Sequence, residues 1–140
     1  MTRTLTFVIP AHPPKELSPN AGKYIHPMKV HRIKGEWQGQ VAWAIKVALH
    51  GAEWTPLEYA SLTIERVIDN IHTRKMDSDD NLNAYFKSTR DVLKPMSKVN
   101  PYGMGIIRED NSKRLSSEYI QTVDPARAPM TLITVRMVTK

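Results

Sequence analysis

Three carboxylates stand within four residues of the stretch RKMDSDDNLNAYFKSTRDVL, Arg74 to Leu93: Asp77, Asp79 and Asp80. Carboxylates this close repel one another and raise each other's pKa unless a cation or a helix N-terminus compensates. Two arrangements meet that need. Asp and Ser are favoured N-caps, and acids in a first helical turn suit the macrodipole, which accounts easily for one or two of the three. A hard cation is the alternative, since Mg²⁺ is typically held by one or two carboxylates together with water and substrate phosphate.

The residues that follow add a pattern. At about 100° per residue, Asp80, Ala84, Lys87 and Asp91 share one helical stripe within roughly 40°. Leu82, Phe86, Thr89 and Leu93 form the opposite stripe, which is predicted to face a sheet. An ordinary solvated face also pairs Lys and Asp at i, i+4. The distinguishing feature is Asp80-Asn81 at the helix start with Lys87 two turns on. Asp77, Asp79 and Asn81 mimic the first, third and fifth positions of an EF-hand loop, but Leu82 stands where Gly is required and Ser88 where Glu is required. The chain has no P-loop, Gly-rich dinucleotide fingerprint or HExxH motif. Its five histidines (His12, His26, His31, His50 and His72) show no metal-ligand spacing.

These residues need elements to position them. Thr4 to Ile9 (TLTFVI) reads as a strand stopped by Pro10. A proline-rich segment follows, with Pro10, Pro13, Pro14, Pro19 and Pro27, and is expected to be loop without helix or central strand. A helix is predicted from about Val30 to His50, with Val41, Ala44, Ile45, Ala48 and Leu49 on one face and Gly51 just past its end. Trp37 and Trp43 flank that stripe and are expected in the core. Leu57 to Ile71 reads as a second strand. A second helix is predicted from the acidic segment to about Leu93, ended by Pro95. A loop, KPMSKVNPYGMG, precedes Ile106-Ile107 and REDN, and two strands, Glu118 to Val123 and Thr131 to Val138, follow. The predicted fold class is α+β, a small mixed β-sheet with two main helices packed on it.

Length and charge bound the rest. The 140 residues (1–140) suit one domain with a single core. With no cysteine, disulfides, thiolate zinc sites and cysteine nucleophiles are excluded. No apolar run approaches the roughly 20 residues of a membrane span. The N-terminus lacks a signal h-region and cleavage site, so a soluble, cytoplasmic protein is expected. Twenty Lys plus Arg against 14 Asp plus Glu give a net charge of +6 and a pI of about 9.7. That basic excess makes a polyanion such as nucleic acid the leading partner class.

The run DDNL, then Lys87, then Asp91 and Leu93 resembles the motif of the RusA-type Holliday-junction resolvases and their phage relatives. In that family a D-x-D-N-L segment opens a helix carrying a lysine and then D-x-L, and a further acid pair follows. Glu109-Asp110 in IIREDN takes that last place here. The first strand running into Pro13-Pro14 and then LSPN (Leu17 to Asn20) is similar to the family's proline-rich loop. The resemblance spans most of the chain. It departs from the family at Ser78, which stands where the first Asp of D-x-D-N is expected. Either Asp77 takes that place, or the segment has one extra residue and Asp77 with Asp79 forms the D-x-D. Asp77 with Asp80 is preferred, about 60° apart on the helix, whereas Asp79 lies roughly 100° to the other side.

The resemblance implies a small dimeric, Mg²⁺-dependent endonuclease that cuts four-way DNA junctions in recombination and repair, in a bacterial or phage-infected cell. Its implied catalytic set is Asp77, Asp80, Lys87 and Asp110, with Asp77, Asp80 and Asp110 holding Mg²⁺ (or Mn²⁺). Asp91 is expected to orient Lys87. Lys23, Lys29, Arg32 and Lys34, with Arg74 and Lys75, are expected to contact DNA phosphates without reading bases. Lys94, Lys98 and Arg108 are expected around the acids. Paired cuts on two strands imply a homodimer, for which Met96, Tyr102 and Met104 are candidate surface residues. A non-catalytic DNA-binding module, and a basic structural or regulatory protein whose acids cap a helix, are the alternatives.

Overall fold

The first strand, β1 (Thr4–Ile9), alternates exposed Thr4, Thr6 and Val8 with buried Leu5, Phe7 and Ile9, the period-two pattern of a strand covered on one face. The computed structural model describes residues 3–69 and 79–139. Within them β2 (Ala60–Ile68), β3 (Leu115–Val123) and β4 (Met130–Met137) join β1 in a four-stranded mixed sheet of order β1-β4-β2-β3. β4 is antiparallel to both of its neighbours, and β3 is parallel to β2. The register puts Phe7 beside Ile133 and Ile133 beside Ile64, with Leu5, Val135 and Leu62 in the next row. These rows form the inner face of the sheet. The fold is a small α+β sheet with its main helices packed on that face.

The long helix α2 (Pro27–Leu49) covers the inner face with Trp37, Val41, Ala42 and Ile45, and it follows a short helix, α1 (Pro19–Gly22). Pro27 occupies the first turn of α2, where a missing N–H costs nothing. His26 caps it, its Nδ1 accepting the Met28 N–H at 3.1 Å. The helix therefore begins three residues earlier than its apolar pattern suggests. It ends with His50 and Gly51 both at positive φ, 51° and 78°, a left-handed exit that glycine eases.

Two further helices, α3 (Asp79–Tyr85) and α4 (Lys87–Leu93), replace the single second helix expected from the sequence. The interruption at Phe86 is slight. Phe86 N–H still donates to the Leu82 carbonyl at 2.9 Å, and Arg90 N–H to Phe86 at 3.0 Å. The phase of the helix is thus kept, and Leu82, Phe86, Thr89 and Leu93 are all buried.

Three other expectations are corrected. The proline-rich segment holds a 3₁₀ turn (Lys15–Leu17) and α1, because Pro19 starts a helical turn rather than blocking one. The second strand is shorter than Leu57 to Ile71 within the described residues, with Leu57 forming only an isolated bridge to Ile107. Trp43 is 67% exposed while Trp37 is buried. Trp37 lies at i, i+4, i+8 with Val41 and Ile45 and so takes the core position, which turns Trp43 away from the sheet. Among the described residues no helix is long and apolar enough to cross a membrane.

Candidate functional site

The site is assembled on α4. Burial of Phe86, Thr89, Val92 and Leu93 under the sheet leaves Lys87 and Asp91 on the outward stripe. Lys87 Nζ lies 3.2 Å from Asp91 Oδ2, the i, i+4 pair that the sequence suggests. The Asp91 carboxylate is largely buried, and its Oδ1 has Lys94 Nζ at 3.3 Å. That approach is off the hydrogen-bonding direction, so Oδ1 accepts no hydrogen bond among the described residues. Lys94 Nζ also lies 3.8 Å from Asp110 Oδ1. Lys87, Asp91, Lys94 and Asp110 therefore form a chain of alternating charge running from the start of α4 past its end.

The loop after α4 is tied down where it meets this chain. Asn100 Nδ2 donates to the carbonyls of Asp91 and Pro95 at 2.8 and 3.1 Å. Met104, Ile106 and Ile107 N–H groups donate to Val92 and Leu93 carbonyls, which satisfies helix-end acceptors and delivers Asp110. A Cβ at Gly103 would come within 2.6 Å of the Lys94 and Pro95 backbone, so this crossing requires glycine. In the next turn Asn111 Nδ2 donates to Glu109 at 2.6 Å, leaving the Asp110 carboxylate 31% exposed beside Lys94.

The α2 helix is locked to α4 from beneath. Trp37 Nε1–H donates to Thr89 Oγ1 at 2.9 Å, and Gln38 Nε2 donates to the Ser88 carbonyl at 2.8 Å. The proline-rich segment is held by three more bonds. Thr131 Oγ1 donates to Ala11 at 2.7 Å, His12 Nε2–H to Val67 at 2.6 Å, and the Tyr85 hydroxyl to Pro13. Burial holds the His12 imidazole below its ordinary value and pushes the Tyr85 phenol up to about 12. Both side chains thus serve the fold in their neutral forms.

These locks leave two adjoining clefts. One, of about 340 Å³, lies between Glu16–Pro19, Lys23, Val30 and Lys34 on one side and Ala84, Lys87, Ser88 and Asp91 on the other. The second, of about 440 Å³, shares Lys34 and Asp91 and adds His31, Arg32, Asn100 and Tyr102 among its walls. Of the expected phosphate contacts, Lys23 and Lys34 share a cleft with Lys87, and Arg32 lines the neighbouring one. Lys29 is exposed on the first turn of α2, outside both.

Asp77, Arg74 and Lys75 lie outside the described residues, as does the side chain of Asp80, whose backbone is in the first turn of α3. Among the described residues no three His, Asp or Glu side chains gather to hold a metal. Arg108 pairs with Glu58, which also receives Arg114 at 2.6 Å. Tyr102 packs on Gly35 and Gly39 of α2, and Met104 packs against the core. Sequence reasoning missed Ser88 and underrated Lys94. Ser88 is one residue from Lys87, at the flank between the polar and apolar stripes, and that flank position was the available signal.

No family model and no curated protein matches this chain.

Proposed function

We propose that the chain is a metal-dependent endodeoxyribonuclease of the RusA type that resolves four-way DNA junctions by paired phosphodiester hydrolysis. The observation that carries this reading is the meeting of Lys87, Lys23 and Lys34 in one cleft, beside a charge chain that leads to Asp110. Those residues come from three separate parts of the sequence, and the motif resemblance names Lys87 and Asp110 independently of the fold.

In this reading Asp77, Asp80 and Asp110 would hold Mg²⁺. Asp110 fits such a role because its contact with Lys94, at 3.8 Å, is a loose pair that leaves the carboxylate open. When bound, the cation supplies charge neutralisation at the scissile phosphate and lowers the pKa of an attacking water. Lys87 contributes a fixed cation toward a phosphate oxygen, and Asp91 holds it in that position. Lys23, Arg32 and Lys34 neutralise flanking phosphates, so binding weakens steeply with salt. Two opposed cuts call for two copies about a two-fold axis, and a homodimer supplies them.

The test is cleavage of a synthetic four-way junction beside a linear duplex of the same sequence, in Mg²⁺ and in EDTA. Paired nicks in the junction alone, abolished by EDTA, are expected. Junction binding with no cut in Mg²⁺ or Mn²⁺ would leave a non-catalytic binding module instead.

A further inference from the structure

The cleft beside α4 contains a group that the proposed chemistry does not use. Ser88 is 7% exposed, lines the cleft, and its hydroxyl makes no hydrogen bond among the described residues. A buried hydroxyl without a partner loses the hydrogen bonds it would make to water, so it is retained at a cost unless something else meets it. Its position is also fixed. The Ser88 carbonyl is held by Gln38, and the next residue, Thr89, is held by Trp37, so the hydroxyl sits on a pinned stretch of backbone rather than on a mobile loop.

The surrounding charge identifies the ligand. Lys23, Lys34 and Lys87 line the cleft with Glu16 and Asp91. Asp91 is already neutralised by Lys87 at 3.2 Å and Lys94 at 3.3 Å, which leaves the walls net positive toward a guest. A cleft of about 340 Å³ is at the small end of ligand sites. We infer that it seats a single phosphate group, the Ser88 hydroxyl donating to one phosphate oxygen and Lys34 and Lys23 neutralising it. This rests on the proposal that the chain acts on DNA, and it adds to that reading a phosphate seat built on Ser88. The same chemistry would accept a free phosphate or a phosphodiester of a strand, and the two are separable by experiment.

The whole chain, labelled with ¹⁵N, is titrated in EDTA with inorganic phosphate and, separately, with the dinucleotide dTpdT. Both probes are expected to shift the amides of residues 16–19 and 87–91, with dTpdT tighter if a strand is the natural guest and inorganic phosphate tighter if a free anion is. Ser88→Ala should weaken dTpdT about tenfold, the loss of one hydrogen bond to a charged acceptor, with an unchanged or higher melting temperature because no protein partner is lost. Lys34→Gln should weaken it similarly and flatten the salt dependence. If Ser88→Ala fails to fold, Ser88→Cys, of similar size but a weak donor, serves in its place. Shifts confined to other surfaces, or binding by the Ser88 variant within twofold of wild type, would overturn the seat. Junction cleavage by the same protein preparations, exchanged from EDTA into Mg²⁺, separates the two ideas. Cutting by a chain with no response at Ser88 removes only the seat, whereas dTpdT bound at Ser88 by a chain that cuts nothing upholds the seat and removes the nuclease.

Discussion

The bond between Trp37 and Thr89 joins the two helices that form the cleft walls, and a double-mutant cycle can weigh it. Both residues are fully buried, and the indole N–H donates to the threonine hydroxyl at 2.9 Å. Trp37→Phe keeps most of the ring packing but strands the hydroxyl, which costs about 1–3 kcal/mol, and it opens a partial void worth on the order of 1 kcal/mol. Thr89→Val preserves side-chain shape but strands the indole N–H, for another loss of about 1–3 kcal/mol. In the double variant neither polar atom remains, so its cost should fall short of the sum by about 1–2 kcal/mol. Domains are stable by about 5–15 kcal/mol, so each variant should fold and each difference should be measurable. Guanidinium denaturation followed by far-ultraviolet circular dichroism gives the four midpoints, wild type included, without relying on the altered tryptophan, and a constant m-value licenses the comparison. Costs that add to within about 0.3 kcal/mol would refute the reasoning, because independent sites behave that way.

Gly103→Ala should cost about 1–3 kcal/mol, since its Cβ would meet fixed backbone at 2.6 Å. Gly35→Ala, whose Cβ meets only Tyr102 at 3.8 Å, should be neutral or gain up to about 1 kcal/mol of helix propensity; urea midpoints of the pair check both. Asp80→Asn should abolish junction cleavage while leaving gel-shift affinity unchanged or tighter, because it removes a proposed ligand and a repulsion toward phosphate together; lost affinity would point to a role in folding. Burial holds His12 below its ordinary 6.5, so between the folded and unfolded values the unfolded chain binds more protons and stability rises with pH. The melting temperature should accordingly drop as pH falls through about 6.5, and less so in His12→Gln. Tyr85, pushed up to about 12 by burial, should be the last phenol to ionise in an alkaline absorbance titration. The stability it contributes should be lost as pH rises from about 10, a loss that Tyr85→Phe removes.

Much of the architecture was legible because it follows from local pattern. The alternation in Thr4–Ile9 and Met130–Met137 marks half-buried strands, and the stripe Leu82, Phe86, Thr89, Leu93 survives even the break at Phe86. Trp43 was misjudged because residue type alone cannot say which of two tryptophans on a helix faces the sheet; the phase of Trp37 with Val41 and Ile45 decides it. At the site, the Lys87–Asp91 pair is a matter of helical spacing and could be read directly. The approach of Lys94 to Asp110 could not, since it depends on how the loop through Gly103 folds back on α4, and neither could the cleft between the proline-rich segment and Ser88. Parallel pairing of β3 with β2 was also hidden, as strand order depends on packing among distant segments.

The position of β4 between β1 and β2 has a consequence for how the chain is made. β1 has no strand neighbour other than β4 among the described residues, so Leu5, Phe7 and Ile9 leave the ribosome well before Met130–Met137 and wait for them. At 5–20 residues per second that interval is on the order of 10 s. Until β4 arrives, β1 and β2 present open edges and a greasy face, the conditions for sticking to other nascent chains. Pairings as distant as Thr4 with Arg136 also favour slow folding. A ribosome stalled before β4 would therefore hold an aggregation-prone chain and a client for chaperones rather than a partly working protein.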